Sequence, residues 1–208
     1  MSIDSNEADV SRLLALAPFN DAEPAVLQRL HDRLTAAAAE QHTLDIAYRT
    51  VDSPLGKLLL AATERGMVRV AFEVEGHDAV LERLAEKLSP RILFSAGRLD
   101  LAARELDEYF AGTRHHFGLP LDFALSRGFR LSVLEHLPQI AYGHTESYAQ
   151  VALATGSPRA VRAVGTACAT NPLPVIVPCH RVVKSDGSFG NYLGGTEAKR
   201  TLLALEAA

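Results

Sequence analysis

The chain has few cysteines and no long apolar run, and these absences narrow its class. Two cysteines in 208 residues, Cys168 and Cys179, cannot form the disulfide framework of a small secreted domain. No apolar stretch approaches the roughly 18 residues that a membrane span needs, so we expect no membrane association. The first ten residues carry Asp4, Glu7 and Asp9 without a basic leader or an apolar core, which does not fit a signal peptide. We therefore expect a cytoplasmic protein in a reducing compartment.

The charge of the chain is acidic overall but locally basic. The net charge of −4 disfavours a general nucleic-acid binder, whose binding domain is usually basic. Residues 157–200 nevertheless carry six basic side chains against two acidic ones, a local charge of +4. Such a surface fits a small, directed contact with an anion, and a chance cluster of solvated charges explains it equally well. The six basic residues are Arg159, Arg162, Arg181, Lys184, Lys199 and Arg200.

Apolar periodicity divides the chain into three parts. Residues 1–45 show two apolar stripes at helical spacing and predict a helical N-terminal extension. Three short β-like segments, 46–51, 57–62 and 67–72, are separated by turn residues and predict a meander. Two amphipathic helices and a loop-rich connection follow, and the remainder from residue 123 onwards has mainly helical periodicity.

Residues 146–172 predict two helices joined by a tight turn. A helix through Tyr148 ends at Gly156. Ser157 then suits an N-cap, and Pro158 suits the first position of the next helix, where a missing N–H costs nothing. Two helices joined by a short glycine-containing turn form a helix-turn-helix arrangement.

The residue pattern of the second helix predicts one polar face surrounded by small residues. Arg159, Arg162 and Thr166 fall at spacings that place them on the same side. Ala163 and Gly165 lie among them, and small side chains allow a bulky partner to approach the backbone closely. Contact with DNA and simple helix packing both account for this pattern.

The most informative stretch is PVIVPCHRVV, residues 174–183. Pro178 biases Val177 towards an extended backbone, so PVIV predicts a short buried strand that ends at Cys179. A free thiol has a pKa of about 8.5 and needs help to ionise. His180 is adjacent, but neighbouring side chains do not face each other, so a bridging water or a bend in the backbone is required. The alternative is a buried structural thiol beside a solvated histidine.

Spacing excludes the other common uses of cysteine. Cys168 lies eleven residues before Cys179, which fits neither a haem attachment motif nor a pair of zinc ligands. His115 and His116 fit a surface loop better than a metal site. We therefore expect no metal and no other cofactor.

The sequence around Cys179 resembles the active-site signature of the O6-alkylguanine-DNA alkyltransferases. The hexapeptide PCHRVV, with NPLPVIV before it and GNYLGG after it, carries the likeness. The match extends to SYAQVALATGSPRAVRAVG, to YFAGTRHHFGLPLDF and to the terminal LLALE, and covers about residues 46–206. Leu134 stands where the family has tryptophan and Ala141 where it has proline, while the catalytic positions are intact.

The resemblance implies an α+β fold with a ribonuclease-H-like α/β domain followed by a helical domain of the winged-helix or helix-turn-helix type. We assign these domains to residues 46–122 and 123–208. The implied activity is direct repair of O6-alkylguanine, and of O4-alkylthymine, in a single irreversible turnover. The implied partner is double-stranded DNA, bound in the minor groove by a monomer with little sequence preference. No zinc is implied, because the cysteines that bind it in some relatives are missing.

The resemblance also implies a role for individual residues. Cys179 takes the alkyl group as a thioether, His180 removes the thiol proton through a water, and Glu206 orients His180. Asn171 braces the turn that holds the site, and Tyr148 contacts the flipped nucleotide.

On the recognition helix, the resemblance makes Arg162 the side chain that fills the gap left by the flipped base. The DNA-facing surface of that helix comprises Arg159, Arg162, Ala163, Gly165 and Thr166. The implied guanine pocket is lined by Val182, Tyr192, Leu193 and Gly194.

Two other classes remain open at this point. An alkyltransferase-like protein flags lesions without chemistry and carries tryptophan at the position of Cys179. A helix-turn-helix transcription regulator with a sensing thiol would bind a specific operator and transfer no alkyl group.

Overall fold

The computed structural model describes residues 44–207 in full. The chain forms two compact units, residues 1–41 and 42–208. In the first unit four positions are described, all of them helical, and they lie within the second helix predicted for the extension: Val26, Arg29, Leu30 and Arg33. The remainder of both predicted N-terminal helices falls outside the described residues.

The second unit begins with a four-stranded mixed sheet. Strands β1 (Ile46–Val51), β2 (Leu58–Thr63) and β3 (Gly66–Phe72) pair antiparallel in chain order, so the predicted meander is confirmed. Strand β4 (Ile92–Phe94) pairs in parallel with the free side of β1, which gives the order β3-β2-β1-β4. Three residues are too few to show an alternating pattern, which is why β4 cannot be seen in the sequence.

Successive residues of a strand point to opposite faces of a sheet, and here both faces carry apolar residues. One helix covers each face. Helix α1 (His77–Lys87) places Leu84 in one buried cluster with Leu59 of β2. Helix α2 (Asp100–Phe110) places Leu106 in a second cluster with Leu58. This second cluster continues into the helical half of the unit, so the sheet and the helices share one core.

The connection after α2 returns to the sheet before the helical half begins. The N–H of Met67 donates to the carbonyl oxygen of Pro120 at 2.8 Å, and the N–H of Asp122 donates to that of Met67 at 2.8 Å. Gly66 (φ 140°) makes this close approach possible, since a Cβ there would overlap the carbonyl of Pro120.

The helical half packs its helices around the continuation of the same core. Val133, Val151 and Val164, from three different helices, are completely buried. The elements are α3 (Phe129–His136), α4 (Tyr148–Ala154), α5 (Val161–Ala169) and α6 (Gly195–Glu206), with strand β5 (Glu146–Ser147) parallel to β6 (Val182–Val183). In the part of the chain that the structure describes, no helix is long and apolar enough to cross a membrane.

The predicted start of the recognition helix is wrong by three residues. Helix α4 gives way to the Gly156 turn as expected, with φ 73° at that glycine. Ser157 does not cap α5, however: its carbonyl accepts a hydrogen bond from the N–H of Ala160 at 2.8 Å, which closes a β-turn, and α5 begins at Val161. Pro158 occupies the second position of that turn, which proline favours as much as a helix start, so the sequence signal was ambiguous.

The predicted strand before Cys179 is also wrong. Residues 174–177 form a compact turn in which the N–H of Val177 donates to Leu173 at 2.7 Å and Val175 has φ 72°. Pro178 (φ −79°, ψ 63°) is then the centre of an inverse γ-turn, closed by the Cys179 N–H on the Val177 carbonyl at 2.8 Å. A short apolar run signals burial, and here burial is achieved by a turn that is enclosed on all sides.

Candidate active site

Cys179 opens a 3₁₀ turn, Cys179–Arg181, and its side chain is buried. The side-chain amide of Asn171 donates from Nδ2 to the Cys179 sulfur at 3.2 Å and to the Val177 carbonyl at 2.8 Å. The Asn171 oxygen accepts the N–H of Leu173 at 2.9 Å. One buried amide therefore ties the preceding turn to the thiol.

The thiol of Cys179 is held in its protonated form. Burial raises its pKa to about 11, although the hydrogen bond from Asn171 and the charge of Lys199 lower it. Burial also raises the pKa of the second thiol, Cys168, on α5. At neutral pH neither sulfur is a thiolate by itself, so a reaction at Cys179 requires a base.

His180 is completely buried and has one free ring nitrogen. Its Nε2 lies 2.8 Å from the Oε1 of Glu206, while its Nδ1 has no hydrogen-bond partner among the described residues. Burial lowers the pKa of His180, so the ring is neutral near pH 7. Since Glu206 can only accept, the proton sits on Nε2 and leaves Nδ1 as an acceptor.

Glu206, the last residue of α6, accepts hydrogen bonds from several elements at once. Arg181 donates from Nε at 2.8 Å and from Nη2 at 2.9 Å, and the Tyr109 hydroxyl donates at 2.6 Å. The N–H of Gly143 donates at 3.3 Å. Burial alone would raise the pKa of Glu206, but the hydrogen bonds from His180, Arg181 and Tyr109 outweigh it and bring the value to about 2. The carboxylate is therefore fully ionised.

A groove of about 510 Å³ runs along the exposed face of α5, and we call it the Tyr148 groove. Tyr148, at the start of α4, lies against Gly190, where a Cβ would overlap its hydroxyl. Burial raises the pKa of Tyr148 to about 12. The groove is also lined by Arg162, Gly165 and Thr166 from α5. This lining brings a phenol, a guanidinium and an open stretch of helix backbone together.

The residues implied for the guanine pocket divide between two places. Val182 is buried directly after the Cys179 turn, and the Tyr192 ring meets the His180 ring edge-on with centroids 6.4 Å apart. Gly194 lies near this pair, because Phe72 also meets the Tyr192 ring edge-on with centroids 5.7 Å apart. Leu193 lines a separate cavity beside the sheet, and a Cβ at Gly194 would lie 2.9 Å from the ring of Phe72 on β3.

Comparison with known families covers both halves of the folded unit. Residues 46–123 match the model described as "6-O-methylguanine DNA methyltransferase, ribonuclease-like domain", and residues 128–208 match its "DNA binding domain". The chain belongs to this methyltransferase family.

Relatives in other organisms agree with the assignment to the 6-O-methylguanine DNA methyltransferases. A protein named methylated-DNA–protein-cysteine methyltransferase from Methanosarcina barkeri (strain Fusaro / DSM 804) is 38% identical over 159 residues, which are 76% of this chain and 96% of the relative. The constitutive protein of that name from Bacillus subtilis (strain 168) is 39% identical over 163 residues, covering 76% and 94%.

Solved structures of the methyltransferase family share the fold. The Mycobacterium tuberculosis O6-methylguanine methyltransferase matches with a TM-score of 0.67 and 36% identity, over 78% of this chain and 93% of that one. The M. tuberculosis OGT in complex with DNA matches with a TM-score of 0.65 and 37% identity, over 77% and 92%. The expected α+β fold, a ribonuclease-like domain followed by a DNA-binding domain, is confirmed.

The basic surface predicted for this methyltransferase is smaller than the sequence indicates. Arg181 and Lys199 are buried, and Lys199 donates from Nζ to the Val182 carbonyl at 2.5 Å. Arg159 is exposed but lies in the turn before α5, so it does not share the helix face of Arg162. Of the expected DNA-facing set, Arg162, Ala163 and Thr166 are exposed on α5, and Gly165 is half-buried there.

Two residues that position the Glu206 carboxylate were missed in the sequence. In the sequence Arg181 was counted with the surface charges. Its position between His180 and the apolar pair Val182 and Val183 could have signalled a buried ion pair. Tyr109 comes from the sheet half, and its hydroxyl also lies 3.4 Å from Nε2 of His180. No local pattern around Tyr109 marks it, because its partners are 71 and 97 positions away in the chain.

Among the described residues, no group of three or more His, Cys, Asp or Glu side chains is arranged to hold an ion. The two histidines of the loop, His115 and His116, line a small surface cavity, and the His115 ring stacks on Tyr142 with centroids 4.1 Å apart.

Proposed function

We propose that this protein repairs DNA by transferring an alkyl group from O6 of guanine to Cys179, once per chain. The observation that carries the proposal is the buried set of Cys179, Asn171, His180 and Glu206. Asn171 holds the thiol, and His180 presents a free Nδ1 acceptor while Glu206 fixes its other nitrogen. The curated relatives named above carry the corresponding activity in their names.

In the proposed reaction the Cys179 proton passes through a water to Nδ1 of His180. The sulfur then attacks the alkyl carbon, a carbon–sulfur bond forms, and the bond from that carbon to O6 breaks with its electron pair remaining on guanine. The guanine product gains one proton at N1, which balances the proton lost by the thiol. A thioether has no good leaving group, so each chain reacts once.

We further propose that the Tyr148 groove receives double-stranded DNA through the minor groove, with little sequence preference. The target atom lies in a stacked base, so the nucleotide must be flipped out at a cost of a few kcal/mol. In this proposal Arg162, which is exposed on α5, fills the gap that remains. The same proposal includes activity towards O4-alkylthymine. It also takes the protein to act as a monomer in the cytoplasm, with a domain boundary at residue 122.

The deciding experiment is the mass of the intact protein after incubation with O6-methylguanine duplex. The expected result is an increase by one CH₂ group per chain and no further increase with excess substrate. Cys168→Ala should retain the reaction and Cys179→Ser should abolish it, with peptide mapping placing the methyl group on Cys179. A modified Cys168 peptide, or more than one equivalent transferred, would overturn the mechanism. Operator-specific binding without any mass change would favour a transcription regulator.

A further inference from the structure

A second cavity, of about 320 Å³, lies between the sheet and the helical half, and its charged lining is mostly cationic. Four lining side chains are basic, Arg69, Arg83, Lys87 and Arg130, and one is acidic, Glu75. We call this cavity with its four basic residues the cationic cleft. Since the chain as a whole has a net charge of −4, the cleft is a local inversion of the protein's charge.

Not all of these charges are satisfied within the protein. Arg69 pairs with Glu75, and Arg130 donates to a backbone carbonyl. Arg83 and Lys87 are exposed and make no hydrogen bond or ion pair with any residue that the structure describes. Two unpaired cations therefore face the cleft together with the remaining donors of Arg130.

The acidic residues of α1, Asp78, Glu82 and Glu86, do not line the cleft. Burial lowers the pKa of Arg69; the charge and hydrogen bond of Glu75 oppose this shift, and the charge of Arg83 adds a smaller lowering.

The cationic cleft adjoins the Tyr148 groove at the end of helix α5. Ala169, the last residue of α5, lines both cavities. From Arg162 to Ala169 the helix rises about 10 Å, which equals roughly three nucleotide steps of one strand when measured along the duplex axis. A duplex that lies on the exposed face of α5 therefore has backbone phosphates within reach of the cleft.

The base of the cleft is also connected to the active site. Nη1 of Arg69 donates to the backbone carbonyls of Asn171 at 3.4 Å and Pro172 at 3.2 Å. Asn171 is the residue that holds the Cys179 sulfur. The cleft is thus fixed in position relative to the reacting thiol.

We propose that the cationic cleft binds the DNA backbone about three nucleotides from the lesion, so that helix α1 of the sheet half takes part in DNA binding. The ligand chemistry is a phosphodiester recognised by Arg83, Lys87 and Arg130. Arginine and lysine contacts to phosphate position a protein on DNA without reading its sequence, which matches repair at any sequence context. The inference rests on DNA being the partner, as proposed above.

The test is a binding titration of the full chain with a fluorescent O6-methylguanine duplex at several salt concentrations. The variant Arg83→Gln/Lys87→Gln removes two charges that have no partner in the described structure. Its plot of log affinity against log salt should be shallower than that of the wild type by about 1.8, and its affinity at low salt should fall by roughly tenfold. Arg98→Gln/Arg104→Gln, which removes two exposed charges outside both cavities, should match the wild type.

A second duplex locates the contact. Methylphosphonates, which carry no charge, replace the phosphates three to five steps from the lesion on either side. This duplex should bind the wild type more weakly than unmodified DNA does, and the loss should be smaller for the Arg83→Gln/Lys87→Gln variant, which retains only Arg130 of the three phosphate-binding residues. Equal salt slopes for wild type and variant would overturn the proposal, as would equal losses in the control variant.

Two further measurements distinguish free phosphate from DNA as the ligand of the cleft, and distinguish failure of the cleft proposal from failure of the proposed alkyl transfer. If inorganic phosphate raises the melting temperature of the wild type but not of the Arg83→Gln/Lys87→Gln variant, while DNA affinities stay equal, the cleft binds free phosphate and the DNA assignment is wrong. Intact-mass measurements on the same samples report alkyl transfer by the wild type. If the wild type transfers no alkyl group but the salt slope of the variant is altered, the proposed reaction is wrong and the proposal for the cleft is supported.

Discussion

The substitution Glu206→Gln tests whether the buried network behind His180 is an ion pair on which the fold depends. The carboxylate accepts two hydrogen bonds from Arg181, one from Tyr109 and one from His180, and its side chain is 1% exposed. Glutamine has the same shape but a single acceptor oxygen. Its NH₂ group must face at least one donor of Arg181, and the guanidinium is left buried without an opposite charge.

The expected loss of folding stability in Glu206→Gln can be calculated in two ways. Removing one partner of a buried ion pair costs about 3–5 kcal/mol. Independently, the pKa of Glu206 falls from 4.5 to about 2, and by linkage this difference corresponds to about 3 kcal/mol of folding stability at neutral pH. For a unit of this size, 3–5 kcal/mol lowers the melting temperature by roughly 6–20 °C.

The pH dependence gives the sharper part of the test. A carboxylate whose pKa is depressed by folding contributes its full stabilisation above its unfolded pKa, near 4.5, and loses it as the pH falls towards about 2. The contribution of the Glu206 carboxylate to the stability difference between wild type and Glu206→Gln should therefore be fully present at pH 5 and shrink between pH 5 and pH 3. Circular dichroism melting curves at these pH values measure it.

Glu197→Gln on the same helix is the matched control for this measurement. Glu197 pairs with Arg200, but their side chains are 80% and 59% exposed. An exposed pair contributes at most about 1 kcal/mol, so the control should melt within about 3 °C of the wild type. A Glu206→Gln protein as stable as the control at pH 7, or a stability difference that does not change below pH 5, would refute the ion-pair reasoning.

Two further predictions concern the reaction itself. Arg162→Ala should slow transfer from duplex O6-methylguanine far more than from free O6-benzylguanine, because only the duplex requires a base to be flipped. Arg98→Ala is the control. Equal losses of rate on both substrates would show that Arg162 does not fill the gap left by the flipped base. In His180→Gln the thiol must ionise alone with a pKa of about 11, so its transfer rate to free O6-benzylguanine should rise about tenfold per pH unit between pH 7 and pH 9. The wild-type rate should rise less steeply, since neutral His180 accepts the proton, and a flat pH–rate profile for the variant would contradict this role.

Much of the fold was visible in local sequence, because strands and amphipathic helices leave short-range periodic patterns. The meander of β1, β2 and β3 was predicted close to its observed position, and the two amphipathic helices predicted after it correspond to α1 and α2. The end of α4 at Gly156 was predicted for the same reason, since a left-handed residue after a helix favours glycine.

Predictions failed where one local signal serves two structures. Pro158 suits a helix start and a β-turn alike, and the chain forms the turn, which removes Arg159 from α5. The run before Cys179 is apolar enough for a buried strand, yet it folds as a turn. The Asn171 side chain stabilises this turn, since it donates to the Val177 carbonyl and accepts the N–H of Leu173.

The residue types of the candidate site were thus present in the sequence, as a thiol beside a histidine and a carboxylate near the end of the chain. Their chemistry was decided by tertiary contacts. Arg181 and Tyr109 reach Glu206 across separations of 25 and 97 positions, and this convergence keeps a buried carboxylate ionised. The cationic cleft arises in the same way, from residues of a strand and two helices that have no common motif. Charge, burial and pKa depend on which groups become neighbours in three dimensions, and that information lies in the packing of the whole unit.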